Sequence, residues 1–418
     1  MKNLISLGVF LLILLSVQVN AQEQSVLKIR PTGRILMDGG LFHSDNKNFV
    51  DGVAIPDARI GVKATYGKYK AKVDIGYAYG KVSLKDIFVE RQFSSHALLR
   101  VGNFVHQFGL QSSTSSSMKV TMEEPASNEA FFNSRLIGAM FVYDKNDFFG
   151  TASVHVESEA LKKKSNELGK MGYGAMSRLV YRPLHDTGRL FQLGISGAYE
   201  TPRYNSEPTL NHTSFDLGAN FPTRIAKVRA VNALIPDAKN LIKFTPEMIA
   251  GYGPVALEAQ YYYLQVNREK DFKNYKASGM YGILRGLLIG GNYRYSHTDC
   301  GIATPDSGSL ECVFGYNYTD MSDTRSHIYG GRLNDVSFTV NYYINKYMIW
   351  RFRYSYTKIT DRVENDHFAA TPCIIVFYFF ILFNCSHIVA TTEYFESTRR
   401  YCYPKCALAF LGFKSTKK

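Results

Sequence analysis

Basic side chains recur at alternate positions in several segments of the 418-residue chain. One residue separates Lys70 from Lys72, and Arg351 and Arg353 have the same spacing. Residues two apart in a β-strand point to the same face, so each pair would place two cations side by side. A row of cations along a hydrated surface attracts small anions. The spacing therefore predicts anion binding or passage, provided that these segments are strands.

Catalytic chemistry needs a different constellation of residues, and the sequence shows none. The 10 His residues are scattered without metal-ligand spacing, and no Gly-x-Ser-x-Gly, Walker or dinucleotide-binding motif occurs. Cys402 and Cys406 have no His at a spacing that suits a metal. The basic residues form no run or helical stripe that would fit nucleic acid. We therefore expect no enzyme, no metal, no cofactor and no nucleic-acid partner.

The segments that carry these cations alternate between polar and apolar residues. Segment 69–79 does so throughout, and segment 336–357 does so on both sides of a turn at Asn345-Lys346. A period of two favours strands with one polar and one apolar face. By phase, the cations on the polar faces are Arg59, Lys63, Lys70, Lys72, Arg100, Arg294, Arg351 and Arg353.

Two roles are open for each of these cations. A cation can line a water-filled space and attract anions, or it can pair with a carboxylate across the wall and hold neighbouring strands together. The carboxylates available for such pairs are Asp74, Asp86, Glu90 and Glu258. The sequence does not decide between the roles for any single residue.

The composition favours an all-β protein. Hydrophobic residues make up 45% of the chain, and the combination of Tyr 29, Phe 28 and Gly 33 suits many strands joined by tight turns. Between Gly33 and Phe368 the chain has room for roughly 16 strands of about 10 residues each with their connections. A barrel of that size encloses an aqueous channel.

Tyr residues and loop lengths favour a barrel in a membrane. Tyr77 and Tyr79, like Tyr354 and Tyr356, end apolar faces, where an outer-membrane barrel has its aromatic girdle. Short turns alternate with long polar stretches. We assign the polar stretches 158–171, 202–214 and 299–326 to outer loops. We therefore predict a transmembrane antiparallel β-barrel of about 16 strands that contacts outer-membrane lipid. A soluble periplasmic β-sandwich or solute-binding protein, whose strands also alternate, remains the alternative.

The amino terminus predicts export. An apolar run follows Lys2, is too short to span a bilayer, and ends at Val19-Asn20-Ala21, a small-residue cleavage site. We assign residues 1–21 to a cleaved signal peptide and residues 22–368 to the barrel. With the barrel pattern, this predicts the outer membrane of a Gram-negative bacterium.

The last 50 residues break the pattern. Segment 373–383 is apolar at every position, and residues 369–418 hold four of the 6 Cys. We therefore expect the last barrel strand to be lost or replaced by an aberrant tail. This tail is either the product of a shifted reading frame or a helical anchor formed by 372–390. An improvised strand at 373–383 would bring apolar side chains to a wet lumen.

Several motifs resemble one known family, in the same order along the chain. They are Val82–Asp86, Arg100–Phe104, Phe108–Leu110, Met122-Glu123, Asn128–Phe131, Arg178–Pro183 and Val340–Asn345. Together they resemble the phosphate-selective porin O and P family, in particular its Bacteroidetes-type members, over about 33–368.

This resemblance implies a homotrimeric outer-membrane porin of 16 strands whose third outer loop narrows the lumen. The loop would be 107–135 here, with Lys119 and Arg135 as its basic members. The resemblance also implies phosphate or another small anion as the solute. The sequence differs from the more basic members of the family at 105–107, and the predicted loop contains three acidic residues, Glu123, Glu124 and Glu129. The resemblance therefore does not identify the preferred anion.

Overall fold

The computed structural model describes residues 26–43, 49, 51–114, 119–132, 135–158, 171–225, 227–269, 271–298, 300–362 and 373–383. The expected signal peptide, the tail beyond 383 and most of the polar stretch 158–171 lie outside these residues. The strands are β1 (Lys28–His43), β2 (Gly52–Tyr66), β3 (Tyr69–Ala78), β4 (Lys81–Ser94), β5 (Ala97–Phe104), β6 (Leu136–Lys145), β7 (Phe148–Val156), β8 (Tyr173–Asp186), β9 (Arg189–Glu200), β10 (Phe215–Asn220), β11 (Arg229–Ile235), β12 (Ala238–Tyr252), β13 (Val255–Arg268), β14 (Tyr275–Ile289), β15 (Tyr295–Ser296), β16 (Gly301–Ile302), β17 (Leu310–Asp323), β18 (Ile328–Asn345), β19 (Met348–Arg362) and β20 (Cys373–Phe383). Two short helices, α1 (Leu110–Ser113) and α2 (Ala126–Phe131), lie between β5 and β6.

A closed antiparallel barrel contains all of these strands except two short hairpins. Its order is β1–β9, β12–β14 and β17–β20, which gives sixteen strands, and β20 pairs back on β1. The hairpins β10–β11 and β15–β16 form separate sheets. The predicted all-β barrel of about 16 strands is confirmed.

Alternation places apolar side chains outside the barrel and polar side chains inside. On β18 and β19, Val336 and Trp350 are exposed on the outer face, whereas Thr339 and Arg353 are buried on the inner face. An apolar exterior around a polar interior is the inverse of a soluble protein and fits a bilayer. The soluble alternative is therefore wrong.

Most connections at one end of the barrel are two-residue turns, such as 146–147 and 187–188. Asn146 and Gly188 there adopt positive φ angles of 52° and 75°, which tight hairpins require. Short turns identify this end as the periplasmic one. Longer connections, among them 105–135 and 201–237, lie at the opposite, outer end.

One predicted outer loop is wrong. Much of the stretch 299–326 is barrel strand β17, and β17 and β18 are joined by only 324–327. The long connection is 290–309, which joins β14 to β17 at the periplasmic end. The end of the barrel at which a connection lies depends on whether an even or odd number of barrel strands precedes it. The polar, Gly-containing sequence of 290–309 does not show that number.

The barrel closes through a strand in the predicted tail. β20 pairs in register with β19 on one side and with β1 on the other. An open sheet edge in lipid would leave a row of unpaired backbone groups, so closure by an available segment is favoured. The expectation that 373–383 improvises the last strand is met for the backbone.

Candidate functional site

The lumen of the barrel is filled unevenly. Inward side chains of β8 to β19 are almost fully buried; Arg178, Gln192 and Glu311, for example, are 0% exposed. On β2 to β5 the inward side chains keep contact with water, since Lys70 is 51% and Arg100 is 28% exposed. Water therefore reaches the lumen wall on the β2–β5 side.

Loop 105–135 fills part of the lumen from the outer end. The backbone N–H of Ser127 in α2 donates to Asn317 Oδ1 on β17 at 3.0 Å, and Tyr262 on β13 donates to Asn128 Oδ1 at 2.9 Å. Phe131 stacks on the Tyr262 ring with centroids 5.6 Å apart. These contacts hold α2 against the inner faces of β13 and β17.

Segment 201–237 enters from the same end and packs beside this loop. Phe215, Val231 and Ile235 of its hairpin β10–β11 are buried in one apolar cluster with inward residues of the barrel such as Tyr275 and Leu333. An apolar core inside a barrel excludes water from that region. The lumen on the side of β13 to β18 is thus packed like a protein interior.

Segment 290–309 fills the lumen from the periplasmic end. Tyr293 donates to Glu311 Oε1 on β17 at 2.7 Å, and Tyr295 donates to Gln192 Oε1 on β9 at 2.6 Å. Cys300 packs on Phe149 and Val180 of the β7–β8 wall, and burial raises the pKa of its thiol. The segment therefore crosses the lumen from β14–β17 to β7–β9.

The two inserted segments meet at a very small polar cavity. Gln111 and Lys119 of loop 105–135, Thr304 of segment 290–309 and Arg285 of β14 line a space of about 20 Å³. That volume holds about one water molecule. A hydrated anion does not fit in this cavity, whereas water reaches the lumen wall on the β2–β5 side.

We name this side the exposed wall. It comprises the inward faces of β2 to β5 together with Arg135, which follows loop 105–135. Its inward cations are Arg59, Lys63, Lys70, Lys72, Lys85, Arg100 and Arg135, and its inward carboxylates are Asp57, Asp74, Asp86 and Glu90.

Many of these charges form ion pairs across neighbouring strands. Lys72 Nζ lies 2.7 Å from Asp86 Oδ2, and Arg135 Nε lies 2.7 Å from Asp86 Oδ1. Arg100 Nη2 lies 2.5 Å from Glu90 Oε2, with Lys70 Nζ at 3.8 Å from the other oxygen. Lys72 Nζ also lies 2.6 Å from Asp74 Oδ2, and Asp57 pairs with Arg34 and Arg59. Seven cations of the wall thus face four carboxylates, so the wall stays net positive after pairing.

Lys63 and Lys85 differ from the other cations of the wall. Neither has a carboxylate oxygen within 4.0 Å in the part of the chain that the structure describes. Lys63 lies directly across from Lys72 in the β2–β3 register, which adds a second positive charge at the same level. These two ammonium groups are the least compensated positive charges on the wall.

The position of Lys85 depends on a β-bulge. The β3–β4 register shifts between Val73 and Ile75, which face Ile87 and Leu84, so Lys85 and Asp86 both interact with residues of the lumen. A Cβ at Gly76 would lie 2.4 Å from Lys85 Cε, so the missing side chain of Gly76 makes room for Lys85. Strand phase did not predict Lys85 as a lumen residue, because a bulge breaks the period of two.

Six of the ten predicted channel residues lie on the exposed wall. They are Arg59, Lys63, Lys70, Lys72, Arg100 and Arg135. Both roles left open by the sequence occur among them: Lys72 and Arg100 pair with predicted carboxylates, whereas Lys63 does not.

Three other predicted residues are buried. Lys119 is 2% exposed, donates to the carbonyl oxygen and the side-chain oxygen of Gln111, and lies 3.7 Å from Glu124. Burial lowers the pKa of the Lys119 ammonium. Arg351 and Arg353 are 7% and 3% exposed, and Arg353 donates to Thr121 and to Asp335. Inserted loops cover these side chains, which strand phase cannot predict.

Arg294 does not lie on a barrel strand, contrary to its phase in the sequence. β14 ends at Ile289, so Arg294 belongs to segment 290–309 and to no barrel strand. It forms an exposed ion pair with Asp306 at 2.6 Å within that segment. Tyr293 and Tyr295 alternate with polar residues, as they would in a strand. Both rings pack against other residues inside the lumen, and this packing explains why these two positions are aromatic.

Other candidate sites are weaker. A cavity of about 830 Å³ is lined by outer-face residues such as Val53, Ile55 and Trp350. Within the described ranges, no cluster of His, Cys, Asp and Glu could hold a metal ion. No helix in those ranges is long and apolar enough to cross a membrane.

Comparison with solved structures finds outer-membrane proteins with the same fold. A loop L8 deletion mutant of OmpT, an outer membrane protein of Vibrio cholerae, aligns with 12% identity and a TM-score of 0.54 over 85% of this chain and 99% of that one. A trimer form of OmpT aligns with 10% identity and a TM-score of 0.52 over 85% and 99%. An anion-selective porin from Comamonas acidovorans gives 10% identity and 0.50 over 85% and 100%.

Sequence comparison gives the family. No curated protein matches the chain. The model of the family described as phosphate-selective porin O and P matches residues 31–371, which is most of the chain and includes every strand of the exposed wall. The protein therefore belongs to the phosphate-selective porin O and P family and is a porin of the outer membrane.

Proposed function

We propose that this porin conducts small anions, such as phosphate, in preference to cations along the exposed wall. The observation that carries the proposal is the pair of water-accessible lysines, Lys63 and Lys85, that have no carboxylate partner among the described residues. A positive wall in a narrow path with low-dielectric surroundings concentrates anions and repels cations.

The paired cations contribute less to this preference. An ion pair such as Lys72–Asp86 presents little net charge to a passing ion, whereas an uncompensated ammonium presents its full charge. Arg59 shares Asp57 with Arg34, at 2.8 and 2.5 Å respectively, so that site also stays net positive. The family name and the anion-selective porin from Comamonas acidovorans support an anion as the solute.

The assembly and processing of the chain belong to the same proposal. We propose a homotrimer in the outer membrane, which the trimer form of OmpT supports by analogy of fold. We propose that residues 1–21 are removed on export, that 22–368 form the porin domain, and that 369–418 are an atypical tail. The family match, which ends at residue 371, supports the second boundary.

Planar-bilayer recordings of the full-length protein test the proposal. Under a potassium chloride gradient, we expect a reversal potential of the sign that indicates chloride preference. Added phosphate should then reduce the chloride current, because both anions use the same lysines. A reversal potential that indicates potassium preference would contradict anion selectivity. Chloride preference without reduction by phosphate would leave a porin for other small anions.

A further inference from the structure

Two buried histidines meet at the base of loop 105–135. His106, the second residue of this loop, is 1% exposed, and the inward His155 of β7 is 6% exposed. Their ring centroids lie 5.3 Å apart. Among the described residues, neither ring nitrogen of His106 has a hydrogen-bond partner of normal geometry, and Nδ1 of His155 has none either. Both sites suit neutral rings, because a protonated imidazole needs acceptors for two N–H groups.

The groups around His106 do not favour a positive charge on its ring. The ring stacks on Phe104, and the Arg100 guanidinium carbon lies 5.4 Å from the centroid of the same phenyl ring. From β6, only the backbone of Leu136 approaches His106 as a polar group. Burial, the nearby His155 and Arg100 together lower the pKa of His106. The seated loop therefore holds this imidazole in its neutral form.

His155 faces a carboxylate that is already paired. Glu200 on β9 is the acid nearest in charge to His155, but it lies 2.8 Å from Lys243 Nζ and 2.5 Å from Arg203 Nη2. β8 contributes only backbone here, since a Cβ at Gly174 would lie 2.7 Å from His155 Nε2. A proton on His155 would therefore be repelled by two cations and would compete with them for Glu200.

The Lys243 side chain links this ion pair to the loop. Besides its contact with Glu200, Lys243 Nζ donates to the carbonyl oxygen of Phe131, the last residue of α2, at 2.8 Å. It also lies 4.8 Å from the ring centroid of Phe108, near the start of the loop. Both ends of the loop thus depend on one ammonium group, whose carboxylate partner also faces His155.

We propose that His106 and His155 form a pH-sensitive latch, which releases loop 105–135 from the lumen when the two rings take up protons. Release exposes His106 to water, where a protonated ring is hydrated, so acid shifts the population towards the released loop. Because His106 and Phe104 border Arg100 of the exposed wall, release widens the water path at this point. The latch controls the width of the path and acts whichever ion the porin prefers.

Single-channel recordings of the full-length protein at different pH values test the latch. We expect the conductance of the original protein to rise between about pH 7 and pH 4, where a solvated histidine takes up its proton. His106→Gln should lose this rise and His155→Gln should reduce it, because Gln does not titrate. His43→Gln, at the exposed end of β1, is the matched control and should keep the rise. No rise in the original protein, or an equal rise in all four proteins, would overturn the proposal.

A reversible tether on the loop gives a second readout. Ser127 Oγ of α2 lies 2.7 Å from Asn317 Oδ1 on β17, so Ser127→Cys combined with Asn317→Cys allows a disulfide between loop and wall. The oxidised protein should lose the rise at pH 4, and reduction should restore it. Ser127→Cys alone, treated with the same oxidant, should keep the rise. A full rise with the disulfide verified by mass spectrometry would contradict release of the loop. Reversal potentials from the same bilayers report ion preference separately, so failure of anion selectivity leaves this test intact.

Discussion

Lys119 and Arg135, the two basic residues predicted for the constriction loop, have different roles. Arg135 reaches the exposed wall and lies 2.7 Å from Asp86, whereas Lys119 is buried against Gln111 and Glu124. Arg135→Gln should reduce anion preference, because Asp86 then keeps only Lys72 as a partner. Lys119→Met should change selectivity less but destabilise the loop by about 1–3 kcal/mol. Reversal potentials and thermal unfolding of both variants check this, and equal shifts in reversal potential would contradict it.

His106 predicts a pH dependence of stability. Its ring is buried and stacks on Phe104 with centroids 4.2 Å apart, and burial together with the nearby His155 lowers the pKa of His106 to about 3. Below pH 6.5 the unfolded chain takes up a proton at this residue and the folded protein does not. Folding therefore loses up to about 1.4 kcal/mol per pH unit as the pH falls from about 6.5 to 3.

The comparison with His106→Gln isolates this contribution. Between pH 7 and pH 4 the unfolding temperature of the original protein should fall more steeply than that of the variant, since Gln does not titrate. Both proteins share all other titrating groups, which cancel in the difference. Parallel curves would show that His106 takes up a proton equally in the folded and unfolded states.

At the scale of elements, alternation predicted the strands well and the loops poorly. The hairpin 336–357 was predictable because each residue faces either lipid or the lumen, and this environment imposes a period of two. The bulge that brings Lys85 into the lumen breaks that period, so its role could not be predicted from phase. Burial of Arg353 depends on Thr121 of a loop 232 residues away in sequence, a contact that no local pattern encodes.

Segment 290–309 predicts an effect on conductance. It crosses the lumen from the periplasmic end, and its Tyr295 donates to Gln192 on the opposite wall. Replacing it with a two-residue turn should raise the single-channel conductance, because the lumen widens while the β14–β17 ladder stays intact. Shortening 324–327 to two residues is the control, since that connection joins β17 to β18 at the outer end. An unchanged conductance in the first variant would show that the segment does not limit the current.

At the scale of the whole molecule, the carboxyl end determines assembly. β20 closes the barrel by pairing with β1 and β19, and the predicted tail begins just before it. If 369–418 result from a shifted reading frame, restoring the frame at 368–370 should give an alternating last strand. The restored protein should migrate as a heat-resistant trimer in detergent gels. Heat-resistant trimers of the 418-residue product itself, with the frame verified by resequencing, would contradict the frameshift interpretation.

The proposed anion selectivity depends on the exposed wall as the path of the current. Lys63→Gln combined with Lys85→Gln removes its two uncompensated cations, and Lys276→Gln combined with Lys358→Gln removes the same charge from exposed positions on the outer face. The decisive measurement is the reversal potential of these two variants and the original protein in one salt gradient. We expect anion preference in the original protein and the outer-face variant, and a marked loss of it in the Lys63/Lys85 variant. An identical reversal potential in all three proteins would contradict anion conduction along the exposed wall.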